Sequence, residues 1–442
     1  MGSSLRTNKL RRVGFLSNSL LPRSPDTMKT RTLFGISLSL IIINMAAIME
    51  RADENLLPSV YKEVSEAFSA GPSDLGYLTF VRNFIQGLAS PVAALQSFIA
   101  DSYVDGARGT GFGFLNLVGT VGGIGGGAIA TVMAGHDFWG IPGWRFAFMV
   151  MAMLSCLIAF LVHAFVADPR RRTTADHDTG KALSRDEVMD KGNANSVSIW
   201  VESWQAMKTV TRVPTFQYIV LQGVVGSLPW TALVFLTLWF ELIGFDHNSS
   251  AALVGLFAGG CALGSFVGGI IADQMSRLYP HSGRVMCAQF SAFMGIPFSW
   301  FLLRVVPQSV SSYSTYAATL FLMGLTISWC ATATNGPMFA EVVPVKHRTM
   351  IYAFDRAFEV SFSSFAAPVV GILAEKMYGY DAKSVDPVVG SGREALALSK
   401  GLFSMMAVPF GLCSLFYTPL YWNFRHDREN ARIAATKEAE MI

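Results

Sequence analysis

The run IADSYVDGARGTGFGF, Ile99 to Phe114, returns in outline 240 residues later as FAEVVPVKHRTMIYAF, Phe339 to Phe354. In register, Ala100 meets Ala340, Asp101 meets Glu341, Arg108 meets Arg348 and Phe114 meets Phe354. Each copy is a short acid-then-arginine turn between two apolar runs, at the same stage of each half. That is the pattern of a duplicated membrane protein.

Outward from these turns the chain is mostly apolar. Of 442 residues, 52% are hydrophobic and 15% charged, against about 25% charged in ordinary soluble domains. Spanning a bilayer takes ~20 mostly apolar residues, and ten stretches qualify: approximately 32–58, 74–100, 112–134, 144–166, 216–243, 250–272, 284–305, 313–335, 352–376 and 397–421. With the amino terminus inside, 24 of the 34 Lys and Arg fall in cytoplasmic segments and three (Lys62, Lys383, Arg393) in external ones. This asymmetry predicts that both termini are cytoplasmic. The bilayer is therefore the first expected partner. A net charge of +3 is too small to suggest nucleic acid.

The predicted organisation is a basic tail over 1–31, a short helical bundle over 32–166, a central cytoplasmic loop over 167–214, a six-helix bundle over 215–422 and a cytoplasmic tail over 423–442. The first tail is acid-poor and contains Ser and Arg, so an organellar transit peptide is an alternative to a cytoplasmic flank. Within the central loop, SVSIWVESWQAMKTV places Val197, Trp200, Val201, Trp204 and Met207 on one helical face. Such a helix lies either on the inner leaflet or against the protein's own cytoplasmic side. Glycines recur every fourth residue at Gly119, Gly123 and Gly127 and at Gly260, Gly264 and Gly268, a spacing that lets helix backbones approach in lipid.

Charged residues at membrane depth are costly and are candidates for function by default. The first span ends MERADENLLP, which clusters Glu50, Arg51, Asp53 and Glu54. A carboxylate kept neutral by burial there is suited to carrying a proton, and Arg51 to holding an anionic group; the alternative is an external interface. Arg82, with Asn83 and Gln86 beside it, either binds an anion in the cavity or snorkels outward. Asp355, Arg356 and Glu359 open the ninth span, where an acid near a helix start and an Arg–Glu pair three apart are favourable. No GxxxxGK, HExxH or GxSxG motif occurs, and the five cysteines lie in apolar runs without a CxxC pair. Neither an enzyme, a cofactor nor a metal site is expected.

At the inner end of the sixth span stands Gly269-Ile-Ile-Ala-Asp273-Gln-Met-Ser-Arg277. Here the chain resembles the major facilitator superfamily, whose Gly-x-x-x-Asp turn, followed by basic residues, joins the second and third helices of a six-helix half. Gly269, Asp273 and Arg277 match; the further glycine and basic residues usual after the Asp are absent. The IADSYVDGARG turn, the GIPGWRFAF run at Gly140 to Phe148 and the long central loop extend the resemblance over most of residues 32–422. The pair Glu50-Arg51 is similar to that of the spinster-like and organic-anion branches. The resemblance, to which the acids of the first span add an expectation of cation coupling through Glu50 or Asp53, implies an all-α polytopic fold of two bundles and a small-solute transporter working by alternating access. It also implies gating or latch roles for Asp101, Arg108, Gly269, Asp273, Arg277, Glu341, Arg348, Asp355 and Arg356.

Against the internal copy, the first half is short. Asp74 to Asp101 is 27 residues and Ser249 to Glu341 is 92, a difference of 65, enough for two helices. Ten spans, four plus six, are therefore expected instead of twelve, with parity preserved. An alternative splice product, an incomplete gene model and a natural ten-helix transporter all fit. A truncated product predicts the alternative function, a transport-incompetent membrane protein that binds or regulates a partner such as a full-length sibling.

Overall fold

The computed structural model describes residues 32–33, 36–60, 64, 67–68, 70–89, 108–134, 136–165, 208, 211–343, 348–381 and 392–440. The basic tail, the central loop up to residue 207 with nearly all of its amphipathic stretch, and Asp101 lie outside the described residues. What is described is almost all helix, with two ladders of two-residue strands, Thr32–Leu33 with Ile36–Ser37 and Asp137–Phe138 with Ile141–Pro142. The second ladder turns through Trp139 (φ 52°) and Gly140 (φ 77°), the left-handed pair that a tight hairpin demands.

The first half contributes α1 (Leu38–Ser59), α2 (Pro72–Ala89), α3 (Arg108–Ala134) and α4 (Gly143–Phe165). The second contributes α5 (Pro214–Ala232) running through a 3-10 turn into α6 (Leu236–Ile243), then α7 (His247–Leu278) and α8 (Gly283–Trp300). It continues with α9 (Tyr313–Ile327) joined by a π-turn over Cys330–Asn335 to α10 (Gly336–Val342), then α11 (Arg348–Ser363), α12 (Ala366–Ile372) with a π-turn over Leu373–Met377, and α13 (Gly392–Phe416). A final helix, α14, covers Leu420–Glu440.

Six of these rods are long and apolar enough to cross a membrane by length and composition: Gly143–Ala164, Pro214–Ile243, Asn248–Leu278, Gly283–Val305, Ile351–Met377 and Gly392–Phe416. Helices also stand at the other expected positions, but α1 carries four charges in its second half, and the α9 rod is interrupted by its π-turn. Large apolar side chains such as Met149, Met153, Leu157 and Phe160 on α4 point outward, as they do where lipid replaces water.

Two close seams join the halves. α3 packs between α1 of its own half and α7 of the other, while α2 packs on α11 and α12. Along α1 and α3, which run parallel, Gly122 meets Ile48 and Gly126 meets Ala52 with backbones nearly touching. α7 runs antiparallel to α3: Gly113 lies on Ser265 and Gly269 on Gly109. The end of the bundle where α1 and α3 begin is called the Asp273 end below, and the opposite end, where α2 begins, the Glu375 end.

Candidate functional site

The charges of the first span are drawn into a network that crosses between the halves. Arg51 donates through Nη1 to Glu54 Oε2 at 2.6 Å and through Nη2 to Asn116 Oδ1 on α3 at 3.3 Å. The other oxygen of Glu54, Oε1, faces Arg356 Nη2 of α11 at 3.5 Å, and Arg356 Nη1 lies 3.8 Å from Glu359 Oε2. Glu54 therefore holds one guanidinium from each half. Asn116 extends the chain, its amide donating to Ser265 Oγ of α7 at 2.7 Å, and Ser265 in turn donates to Ser328 O. Glu359 lies against α5 at Gly223, where any side chain would collide with its carboxyl group.

Arg82 meets this network from α2, for a reason that lies in the backbone of α1. Pro58 has no N–H, so the carbonyl four residues before it, that of Glu54, loses its helical donor. Arg82 Nη1 donates to that carbonyl at 2.9 Å, and Nη2 donates to Asp53 O at 2.5 Å and lies 3.3 Å from Asp53 Oδ2. The arginine is thus bound to α1, and the carbonyl left open by Pro58 is satisfied.

A second cluster occupies the Asp273 end. Asp273, 3% exposed, accepts from Gly109 N at 3.1 Å, from Thr110 N and Oγ1 at 2.8 Å each, and from Arg284 Nη2 at 2.8 Å. Gly109 and Thr110 lie in the first turn of α3, where backbone N–H groups have no partner within the helix and the helix dipole favours an anion. Arg284 also approaches Glu341 Oε1 at 3.5 Å, and Glu341 Oε2 meets Arg428 Nε of α14 at 2.7 Å. A line of alternating charge thus runs from α3 through Asp273, Arg284 and Glu341 to the last helix.

The structure brings Arg51, Asp53, Glu54, Arg82 and Arg356 together at the crossing network, and Gly269, Asp273 and Glu341 together at the other cluster. Arg348, 7% exposed, donates to Ala340 O within its own turn. Arg108 opens α3 and Arg277 closes α7, both among the described residues. Sequence reasoning passed over Arg284, Asn116 and Arg428: each is a lone polar residue at a span edge or in a tail, and its partner is far away in the chain. An apolar groove of about 690 Å³ lined by Pro297, Trp300, Phe301 and Thr315 lies on the flank between α8 and α9, away from both clusters.

A sequence profile described as the Major Facilitator Superfamily matches residues 64–368. No curated protein matches the chain. Among solved structures, it is similar to a bacterial homologue of the human lysosomal transporter Spinster. Against the inward-facing, unoccupied form the TM-score is 0.56 at 14% identity, covering 89% of this chain and 98% of that one. Against the inward-facing, occupied form it is 0.54 at 13% identity, covering 88% and 97%. The human organic anion transporter MFSD10 (TETRAN) aligns at 0.44 and 12%, covering 84% and 83%. At such identities the likeness concerns the fold.

Proposed function

Because the chain belongs to the major facilitator superfamily, whose members are membrane transporters rather than enzymes, we propose that it moves a small solute by alternating access, with the network around Glu54 as its centre and a cation as its coupling partner. The observation that carries this reading is the bridging of Arg51 and Arg356, one from each half, by a single carboxylate. A group that neutralises Glu54 or displaces either arginine changes the contact between the halves, which gives binding its leverage over their arrangement.

Cation coupling follows from the balance of charge. Arg51, Arg82 and Arg356 are bound by protein acceptors, with Glu54, Asp53 and Glu359 sharing them. Asp355 Oδ1 is buried and accepts no hydrogen bond among the described residues. A buried carboxylate oxygen without a donor is relieved by taking up a proton or metal cation. Sequence pointed to Glu50 or Asp53 for this role; Asp53 is half-exposed beside Arg82, so the buried Asp355 is the better-placed acid of the two.

The short first half is part of the proposal. In the second half, α7 is the second rod and α11–α12 the fifth; α7 packs on α3, and α11–α12 pack on α2. If the halves are related by a two-fold, α2 is the counterpart of α7, and α3 is the counterpart of the fifth rod. This supports a first half lacking the equivalents of its third and fourth helices. The excess of basic residues near the chain ends supports a cytosolic Asp273 end.

The test is reconstitution into liposomes enclosing a pH-sensitive dye, with gradients of organic anions, organic cations and sugars applied in turn. A solute-dependent proton flux that Glu54→Gln abolishes is expected, and Asp355→Asn is expected to leave solute exchange without proton movement. Proton flux of undiminished size in Asp355→Asn would remove that residue from the coupling role. Absence of flux with every solute class, in protein that remains folded, would favour the transport-incompetent reading.

A further inference from the structure

The Asp273 cluster has a counterpart at the opposite end of the bundle that the sequence did not disclose. Ser73 is the second residue of α2, so its N–H lacks a helical partner. Glu375, 302 positions away, takes it: Ser73 N donates to Oε1 at 3.1 Å and Ser73 Oγ donates to Oε2 at 2.6 Å. Glu375 sits in the π-turn Leu373–Met377 that ends the α11–α12 rod, where Tyr378 N reaches back five residues to Leu373 O at 3.0 Å. Such a widened turn rotates the residues beyond it relative to a continuous α-helix.

The surroundings repeat as well. At the Asp273 end, Gly269 and Gly113 allow α7 and α3 to touch backbone to backbone. At the Glu375 end, a Cβ on Gly371 would lie 2.9 Å from Ser73 N and Cα, and one on Gly76 would lie 2.9 Å from Pro368 N and Cα. The rings of Phe80 and Phe365 meet just inside, tilted by 51° with centroids 4.8 Å apart. At each end, then, a carboxylate from the second half caps the start of a first-half helix, beside a glycine seam.

We propose that Ser73–Glu375 is the latch of the Glu375 end, set against Asp273 with Gly109 and Thr110, and that the arrangement seen is the state with both latches engaged. The proposal rests on the alternating-access reading and adds its device. Opening one end requires releasing one carboxylate while the other stays bound, so weakening one latch shifts the population toward opening at that end alone.

Hydrogen exchange read by mass spectrometry on the purified full chain in detergent tests this without any solute, so its outcome is separate from that of the transport assay. The backbone N–H groups that the carboxylates hold are themselves the reporters. In Glu375→Gln, exchange over residues 72–80 should rise about tenfold, the loss expected when charge-assisted bonds become neutral ones, while residues 108–114 stay unchanged or slow. Asp273→Asn should do the reverse. Ser73→Ala, which removes one bond and keeps the carboxylate, should give a smaller rise confined to residues 72–80. Equal acceleration at both ends in Glu375→Gln, or none at residues 72–80 in either Glu375→Gln or Ser73→Ala, would overturn the proposal.

Discussion

Replacing Arg82 by methionine keeps most of the side chain's length and removes its donors. The carbonyl of Glu54 then has no partner, because the residue four positions on is Pro58. The carbonyl of Asp53 fares better, since Leu57 still has an N–H to offer. The Asp53 ion pair adds little, as that carboxylate is 47% exposed. The unsatisfied carbonyl and the lost charge-assisted bond together cost ~2–4 kcal/mol. Restoring an N–H by Pro58→Ala gives Glu54 O its helical donor back. It should recover ~1–2 kcal/mol in the Arg82→Met background, yet change the parent by less than ~1 kcal/mol, a coupling within the range seen for residues in one network. The four proteins are compared by unfolding in detergent with a graded denaturant. If Pro58→Ala recovers no more in the variant than in the parent, Arg82 is not acting on the carbonyl that proline leaves open.

Other substitutions follow from the same contacts. Gly126→Ala should destabilise by ~1–3 kcal/mol through overpacking, because a Cβ there would stand 2.8 Å from Ala52 Cα, whereas Gly125→Ala, with nothing within 4 Å, should be neutral or stabilise by up to ~1 kcal/mol; thermal midpoints of the two variants decide. Arg428→Ala takes one of two cations from Glu341 and the bond to Pro280 O, so cleavage of α14 by a protease should accelerate by an order of magnitude or more, at ~2 kcal/mol or above for a mostly buried pair; an unchanged rate would mean that α14 is held elsewhere. Asp246, the N-cap of α7, has its carboxyl held below the usual range by the Ser249 hydroxyl and N–H. Its contribution is therefore present above the unfolded carboxylate pKa and lost as pH falls through the lower folded one, and Asp246→Asn should flatten that acid dependence of α7 protection in hydrogen exchange.

The helices were legible because apolar length is a local property, and the repeat around Arg108 and Arg348 was legible because two short turns preserve their order of charges. Gly269 and Asp273 could be read from a turn pattern whose parts lie within nine residues. Glu375 could not: beside Lys376 at the end of an apolar run it reads as a solvated terminus, and only the fold brings it to Ser73. Arg82 drew attention as a charge at depth, but its chemistry is set by a proline in another helix. The break in the fourth rod of the second half was hidden because apolar periodicity does not distinguish a π-turn from the α-helix around it.

The closest approaches between the halves are made of backbone and glycine, with the ring pairs Phe80–Phe365 and Phe112–Tyr352 beside them. Parting α3 from α7, or α2 from α12, therefore separates backbone from backbone along most of each seam. The carboxylate caps that resist separation are short-ranged, since a hydrogen bond weakens steeply as its atoms part. The activation barrier should accordingly lie close to the closed state and be enthalpic in character. Bilayer thickness and viscosity should then influence the rate less than the strength of two carboxylate caps.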